Sequence, residues 1–238
     1  MSKLISLWRQ TYFTEVLLLI VLLFLIPYSI KRRKGYPQLK LLPIYLMLFV
    51  GLQLANYLAF TIPTGTAYRN KILHALNIYG NYFISMIEFL SFMLFFIHIS
   101  RLKSIKHVLV FLTYLTLATF GFVGVIQLVF SNSLTDETIN DLYLLQLFSF
   151  IISCSLYYFD LFKSLPVKKL TSQPNFWIAS GLSFYSLCTL PYSLLIEYFR
   201  KTSYEIYLNL YSIIYLLYIV LFIMIIKAYR CKGESAIS

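Results

Sequence analysis

The chain has 238 residues, of which 60% are hydrophobic and only 12% charged, and its mean hydropathy is +0.77. A soluble domain carries about 25% charged residues, so this composition excludes a water-soluble globular protein and implies a membrane protein. The net charge of +11 does not imply nucleic acid, because Lys and Arg lie in short clusters between apolar blocks. Lipid headgroups and topology account for such clusters, and no soluble stretch is long enough to build a basic face.

A membrane helix needs about 20 mostly apolar residues. Seven blocks qualify, at 12–30, 41–62, 73–99, 108–130, 140–162, 176–197 and 206–227. The expected fold is therefore all-α: an integral membrane bundle of seven transmembrane helices, a single domain over 1–238 with no soluble domain. The first block follows Lys3 and Arg9, as in a signal peptide. It is too long for an h-region and lacks a small-residue cleavage site, so it reads as a retained span.

Orientation follows from the basic residues. Lys31, Arg32, Arg33, Lys34 and Lys40 follow span one; Arg101, Lys103 and Lys106 follow span three; Lys163, Lys168 and Lys169 follow span five; Lys227, Arg230 and Lys232 follow span seven. The opposite side has Lys3, Arg9, Arg69, Lys71, Arg200 and Lys201, and its loop between spans four and five is acidic, with Asp136, Glu137 and Asp141. The positive-inside rule puts the N-terminus outside and the C-terminus in the cytoplasm. Trp8 and Trp177 fall at the outer and inner interfaces, where an amphipathic ring anchors a helix.

Span three carries the chemistry. His74, Asn77, Asn81, Ser85 and Glu88 step by three, four, four and three, which is one stripe on an α-helix. Glu88 lies about 21 Å below His74 at ~1.5 Å per residue, which is deep in the bilayer. All basic residues sit in loops or near helix ends, which leaves Glu88 without an obvious cation. An ionisable residue at that depth marks a functional site by default; the plainer alternative is a carboxyl that pins helices together. Asn77 and Asn81 can serve as interhelical hydrogen-bonding groups, and His74 alone reads as an interfacial residue.

Span seven repeats the spacing in Tyr204, Tyr207, Tyr211, Tyr215 and Tyr218. A buried Tyr needs a partner for its hydroxyl, so this stripe and that of span three are candidates for one shared interior. Tyr211 and Tyr215 are its members at ligand depth. Gln53 and Asn56, one turn apart in span two, join the candidate ligand or proton-binding set. Spans four, five and six add Gln127, Gln146, Ser149, Ser153, Ser180, Ser183 and Thr189. Pro191 cannot donate to Leu187, so span six is expected to kink and open a pocket to the outside; Glu15 and Glu197 are candidates for its rim, although each alone reads as an interfacial charge. Asp160 with Lys163 reads as a solvated pair at the inner surface.

Covalent chemistry is not expected. His74, His98 and His107 lack metal spacing, and no phosphate loop, nucleophile elbow or HExxH occurs. No Lys lies in the middle of span seven to anchor a retinal. Cys154, Cys188 and Cys231 form neither a disulfide framework nor a metal motif, although Cys231 has the position of an acylation site. Neither cofactor nor metal is expected. Tyr and Phe number twenty-one each, which makes their runs packing mass rather than a cofactor box.

Pro37-Gln38 is similar to the PQ-loop of seven-span sugar porters, but the matching pair after span five reads Gln173-Pro174. Asn77-Ile78-Tyr79-Gly80-Asn81, Ile87-Glu88-Phe89 and Pro174-Asn175-Phe176-Trp177 resemble small uncharacterised bacterial seven-transmembrane-helix proteins. The same segments resemble the seven-helix sensory membrane regions of bacterial signalling proteins. The resemblance implies a bacterial inner membrane and a sensor-like role. The chain has no kinase-like output region, so a separate signalling partner on the cytoplasmic side is implied. The expected function is receptor-like or accessory, binding a small or lipid-like ligand in an interior pocket. The alternative is a small-solute or proton-coupled transporter using Glu88, with an enzyme acting on lipids a distant third.

Overall fold

Lipid offers no water to a peptide group, so each backbone N–H and C=O must find its partner within the chain, and helices do this locally. The computed structural model describes residues 2–32, 41–61, 76–130, 135–164 and 170–231. Among these residues no strand occurs. The helices are α1 (Ser2–Arg32), α2 (Leu42–Thr61), α3 (Asn81–Ile99), α4 (Lys103–Phe130), α5 (Asp136–Ser164), α6 (Pro174–Thr202) and α7 (Tyr204–Arg230). A π-helical turn, Leu76–Gly80, leads into α3, and a 3-10 turn, Leu170–Ser172, precedes α6.

Most helices outrun their apolar blocks, because polar and charged residues continue the helix past the hydrocarbon at both ends. Six are long and apolar enough to cross a membrane: Phe13–Lys31, Ile78–Ile99, Lys103–Gln127, Glu137–Lys163, Pro174–Ile196 and Glu205–Arg230. The seventh, α2, has a shorter described apolar run, Leu42–Ala55. Pro191 lies inside α6, and the helix is continuous through it.

Neighbour contacts close a ring. α1 packs on α2, α2 on α3, α3 on α5, α5 on α6, α6 on α7 and α7 back on α1, and the α6–α7 contact is the most extensive. α4 leans on α3 and α5 from outside the ring. Its outer face carries Phe111, Tyr114 and Phe122, all strongly exposed and suited to lipid contact. α3 supplies the middle of the core, with Phe89, Phe92, Met93, Phe95 and Phe96 fully buried. The Phe89 ring stacks on Phe120 and Phe150 at centroid distances of 6.4 and 5.8 Å, which joins α3, α4 and α5. The Tyr82 hydroxyl donates to the carbonyl of Phe120 at 2.6 Å. Gly124, one turn on, leaves the space for it, since a Cβ there would meet that hydroxyl.

The helix ends that carry most of the basic residues meet at one end of the bundle. There Lys227 Nζ lies 3.5 Å from the centre of the Trp177 ring, and Trp177 Nε1 donates to the Thr171 carbonyl at 2.9 Å. Tyr28 meets Tyr229 edge to face at 5.9 Å, which ties α1 to α7. The solvated Asp160–Lys163 pair expected from the sequence is not what forms. Asp160 is buried, and its Oδ2 accepts the backbone N–H of Arg101 at 2.8 Å, while Lys163 Nζ lies 5.9 Å from the centre of the Phe159 ring. The reason is the sharp α3–α4 link, whose peptide groups leave the helix and need an acceptor that α5 provides.

Asp160→Ala removes that acceptor from a buried N–H, at a cost of about 1–3 kcal/mol. The purified variant should melt lower in detergent, with Asp160→Asn intermediate because its Oδ1 still accepts. Melting of Asp160→Ala at the wild-type temperature would show that the link does not depend on this bond.

Candidate functional site

α3 carries the site. Glu88 sits about three turns from the basic end of that helix and is 2% exposed. Its Oε2 accepts from Gln146 Nε2 of α5 at 3.2 Å and from the Tyr218 hydroxyl of α7 at 3.4 Å. Tyr45 of α2, fully buried, brings its hydroxyl beside the same carboxyl. Neither that hydroxyl nor Glu88 Oε1 has a hydrogen-bond partner at bonding distance. Behind Tyr218 the network continues: the Tyr185 ring of α6 lies 4.4 Å from the Tyr218 ring, and the Tyr185 and Tyr143 hydroxyls are hydrogen-bonded to each other. Four helices thus converge on one carboxyl, and α6 stands behind Tyr218.

Glu88 and Tyr218 also line a cavity of about 410 Å³. The cavity runs towards the end of the bundle opposite the basic clusters, between the starts of α3, α5 and α7 and the last turns of α6. From Tyr218 to Tyr207 the wall of α7 extends about 16 Å at ~1.5 Å per residue. Phe49, Ile84, Ile139, Ile196 and Ile214 give the walls their apolar strips. Asn140 Nδ2 donates to the Ser193 carbonyl at 3.1 Å and closes the α5–α6 side.

Of the residues singled out from the sequence, Gln53, Asn81, Ser85, Glu88 and Tyr215 line this one cavity. His74 lies outside the described residues, and the side chains of Asn56, Asn77 and Tyr211 lie outside the described part of their helices. From Asn81 to Glu88 the stripe keeps its α-helical spacing. Upstream, Leu76–Gly80 form a π-helical turn, so the regular α-helical spacing does not run through that segment. Tyr207, Tyr215 and Tyr218 face the same space as Asn81, Ser85 and Glu88. Glu15 is half-buried on α1 beside Tyr215 and is not among the residues that line the cavity.

Two features lay beyond the sequence reading. Tyr218 belongs to the span-seven stripe, but the carboxyl's other partners, Tyr45 and Gln146, were polar residues among many, and nothing in their spacing marks them. Arg200, counted from the sequence only as a basic residue of the side opposite the main clusters, lines the same cavity as Glu88. α6 runs on to Thr202, so this long side chain starts on the helix wall and reaches the cavity from there. The site therefore holds a carboxyl at its floor and a guanidinium at its mouth, with amides, hydroxyls and apolar strips between. Among the described residues no three His, Cys, Asp or Glu side chains are grouped to hold a metal ion.

Comparison with models of known protein families, with curated proteins and with solved structures gave no significant match. The site is accordingly read from its own chemistry.

Glu88→Leu leaves the Gln146 amide and the Tyr218 hydroxyl buried without an acceptor, at a cost of about 1–3 kcal/mol. Its melting temperature in detergent should fall well below wild type, while Glu88→Gln, which keeps an acceptor oxygen of the same reach, should lose less than half as much. Equal losses would mean that shape, and not hydrogen bonding, is what Glu88 supplies.

Proposed function

We propose that this is a receptor- or sensor-like multi-pass membrane protein that binds a small or lipid-like ligand in the Glu88 cavity and acts through a separate partner. The observation that carries this reading is the cavity of about 410 Å³ with a buried carboxyl on its floor. That volume is in the range of small-molecule sites, and the mixture of apolar walls and a few convergent polar groups is typical of them.

In this reading all seven helices cross the membrane, α2 included, and the basic end faces the cytoplasm. The N-terminus is then outside and the cavity opens outward. A bacterial inner membrane is the proposed location. α6 and α7 are the elements suited to carry a signal. Both line the cavity, through Ser193 and Arg200 and through Tyr215 and Tyr218, and both reach the basic end, where Trp177 and Lys227 hold them together. A ligand that favours one packing of this pair over another shifts the population presented to a cytoplasmic partner.

One observation favours transport as a second reading. Glu88 Oε1 lies without a hydrogen-bond partner in a residue that lines the cavity, which is where a proton-carrying group of a coupled transporter belongs.

Reconstitution into vesicles under an imposed pH gradient, together with crosslinking in native membranes, separates the two. The receptor reading expects equal proton movement for wild type and Glu88→Gln, and a crosslinked partner from photoreactive groups at the basic end. Solute-linked proton flux that Glu88→Gln abolishes would replace that reading with transport.

A further inference from the structure

The floor of the cavity is a buried carboxyl with one oxygen still to be satisfied. Glu88 is 2% exposed, and the groups that act on it are Tyr45, Gln146 and Tyr218, none of them a cation. Gln146 Nε2 and the Tyr218 hydroxyl donate to Oε2, while Oε1 has no hydrogen-bond partner. A carboxylate only accepts, so Oε1 calls for a donor. Glu88 lines the cavity, which is the side from which that donor can come.

Charge narrows the donor. A neutral donor would satisfy Oε1 and leave a carboxylate uncompensated in apolar surroundings. An ammonium group supplies both the hydrogen and the opposite charge, in the stronger, charge-assisted kind of bond. Folding has already stripped the carboxyl of water, so an arriving ammonium group loses only its own hydration. The rings at the floor favour the same choice. Tyr218 brings its ring to the carboxyl along with its hydroxyl, and the Phe49 ring lies 6.0 Å from the Tyr218 ring by centroid. Both rings line the cavity, and a cation within about 6 Å of a ring centroid is attracted to its face.

The walls narrow the rest of the ligand. A cavity of about 410 Å³ is much larger than an ammonium group, and Ile84, Ile139, Ile196 and Ile214 give it apolar strips. The remainder of the ligand is therefore an apolar body. Arg200 already holds an interaction of its own, and this ligand needs nothing from it. An ethanolamine lipid also carries an ammonium group, but its phosphate would be brought close to Glu88, where no cation acts.

We propose that the cavity takes a free monoamine with an apolar body, its ammonium group donating to Glu88 Oε1 beside the Phe49 and Tyr218 rings. This rests on the ligand-binding reading above and narrows it to one ligand class.

The test uses the purified full chain in detergent and three probes: phenethylamine, phenethyl alcohol and trimethyl(phenethyl)ammonium. A ligand-dependent rise in melting temperature reports binding. Phenethylamine should raise it, and phenethyl alcohol should bind at least about tenfold more weakly, because it lacks the charged donor. The quaternary ammonium should lie between them, since it keeps the charge and loses the N–H. Glu88→Gln, which keeps an acceptor for Gln146 and Tyr218, should bind amine and alcohol equally. Phe49→Leu leaves the carboxyl in place and should weaken the quaternary ammonium more than phenethylamine, because the former depends more on the rings.

Equal binding of phenethylamine and phenethyl alcohol, or an amine preference that survives in Glu88→Gln, overturns the assignment of the ammonium to Glu88. Tighter binding of the quaternary ammonium than of phenethylamine overturns the hydrogen bond to Oε1, and an equal or reversed effect of Phe49→Leu overturns the role of the rings. A rise with added phosphatidylethanolamine and none with phenethylamine overturns the free amine in favour of a lipid headgroup. No shift with any probe overturns the proposal as a whole. The broader receptor reading is then still decided by the flux and crosslinking comparison, which uses no amine.

Discussion

A single carboxyl in an apolar medium fixes how these helices can meet. In lipid, Glu88 cannot be left to water, and a polar group without partners costs several kcal/mol there. Gln146 and Tyr218 satisfy Oε2, and Tyr45 stands beside the same group. α2, α3, α5 and α7 must therefore present those residues to one point, and α6 is drawn in through Tyr185 behind Tyr218. Apolar packing alone would let neighbouring helices slide or rotate at little loss, since lipid tails are as apolar as Leu. The directional bonds to Glu88 remove that freedom. They select one register among many packings of similar contact area.

The bundle is correspondingly polarised along its length. On one side of Glu88 the core is dry, with Phe92, Met93, Phe96, Phe222 and Ile225 fully buried. That half ends in the basic clusters and in local ties such as Lys227 over Trp177 and Asp160 beneath Arg101. On the other side the helices separate around the cavity, and polar groups replace the aromatic core. Glu88 stands at the boundary between the two halves. Anything that changes its hydrogen bonds is felt both by the cavity and by the packed half below, and α6 and α7 run through both.

Much of this was legible in the sequence because it depends on local pattern. The apolar blocks locate the helices, since length and hydropathy are properties of contiguous residues. The steps from Asn81 through Ser85 to Glu88 locate one wall of the cavity, because spacing on a helix fixes a face. The partners of that wall were not legible. Tyr45 and Tyr143 are two of twenty-one tyrosines, and only the packing of α2 and α5 against α3 distinguishes them. Gln146 was visible as a polar residue in mid-span but carries no mark of its partner. Asp160 was read as solvated because it lies near a helix end, where the direction of the chain decides between solvent and interior. The π-helical turn before Asn81 has no signature in composition.

The central claim is that the stripe on α3 borders a cavity that opens on the side opposite the basic loops and stops at Glu88. Substituted-cysteine labelling tests it most directly. In a background with Cys188 and Cys231 replaced by Ser, Ser85→Cys should react with a small membrane-impermeant thiol reagent applied outside intact cells. Phe83→Cys, on the exposed apolar face of the same helix, should stay unlabelled. Labelling of Ser85→Cys only from the cytoplasmic side would reverse the orientation, and equal protection of both positions would contradict the cavity itself.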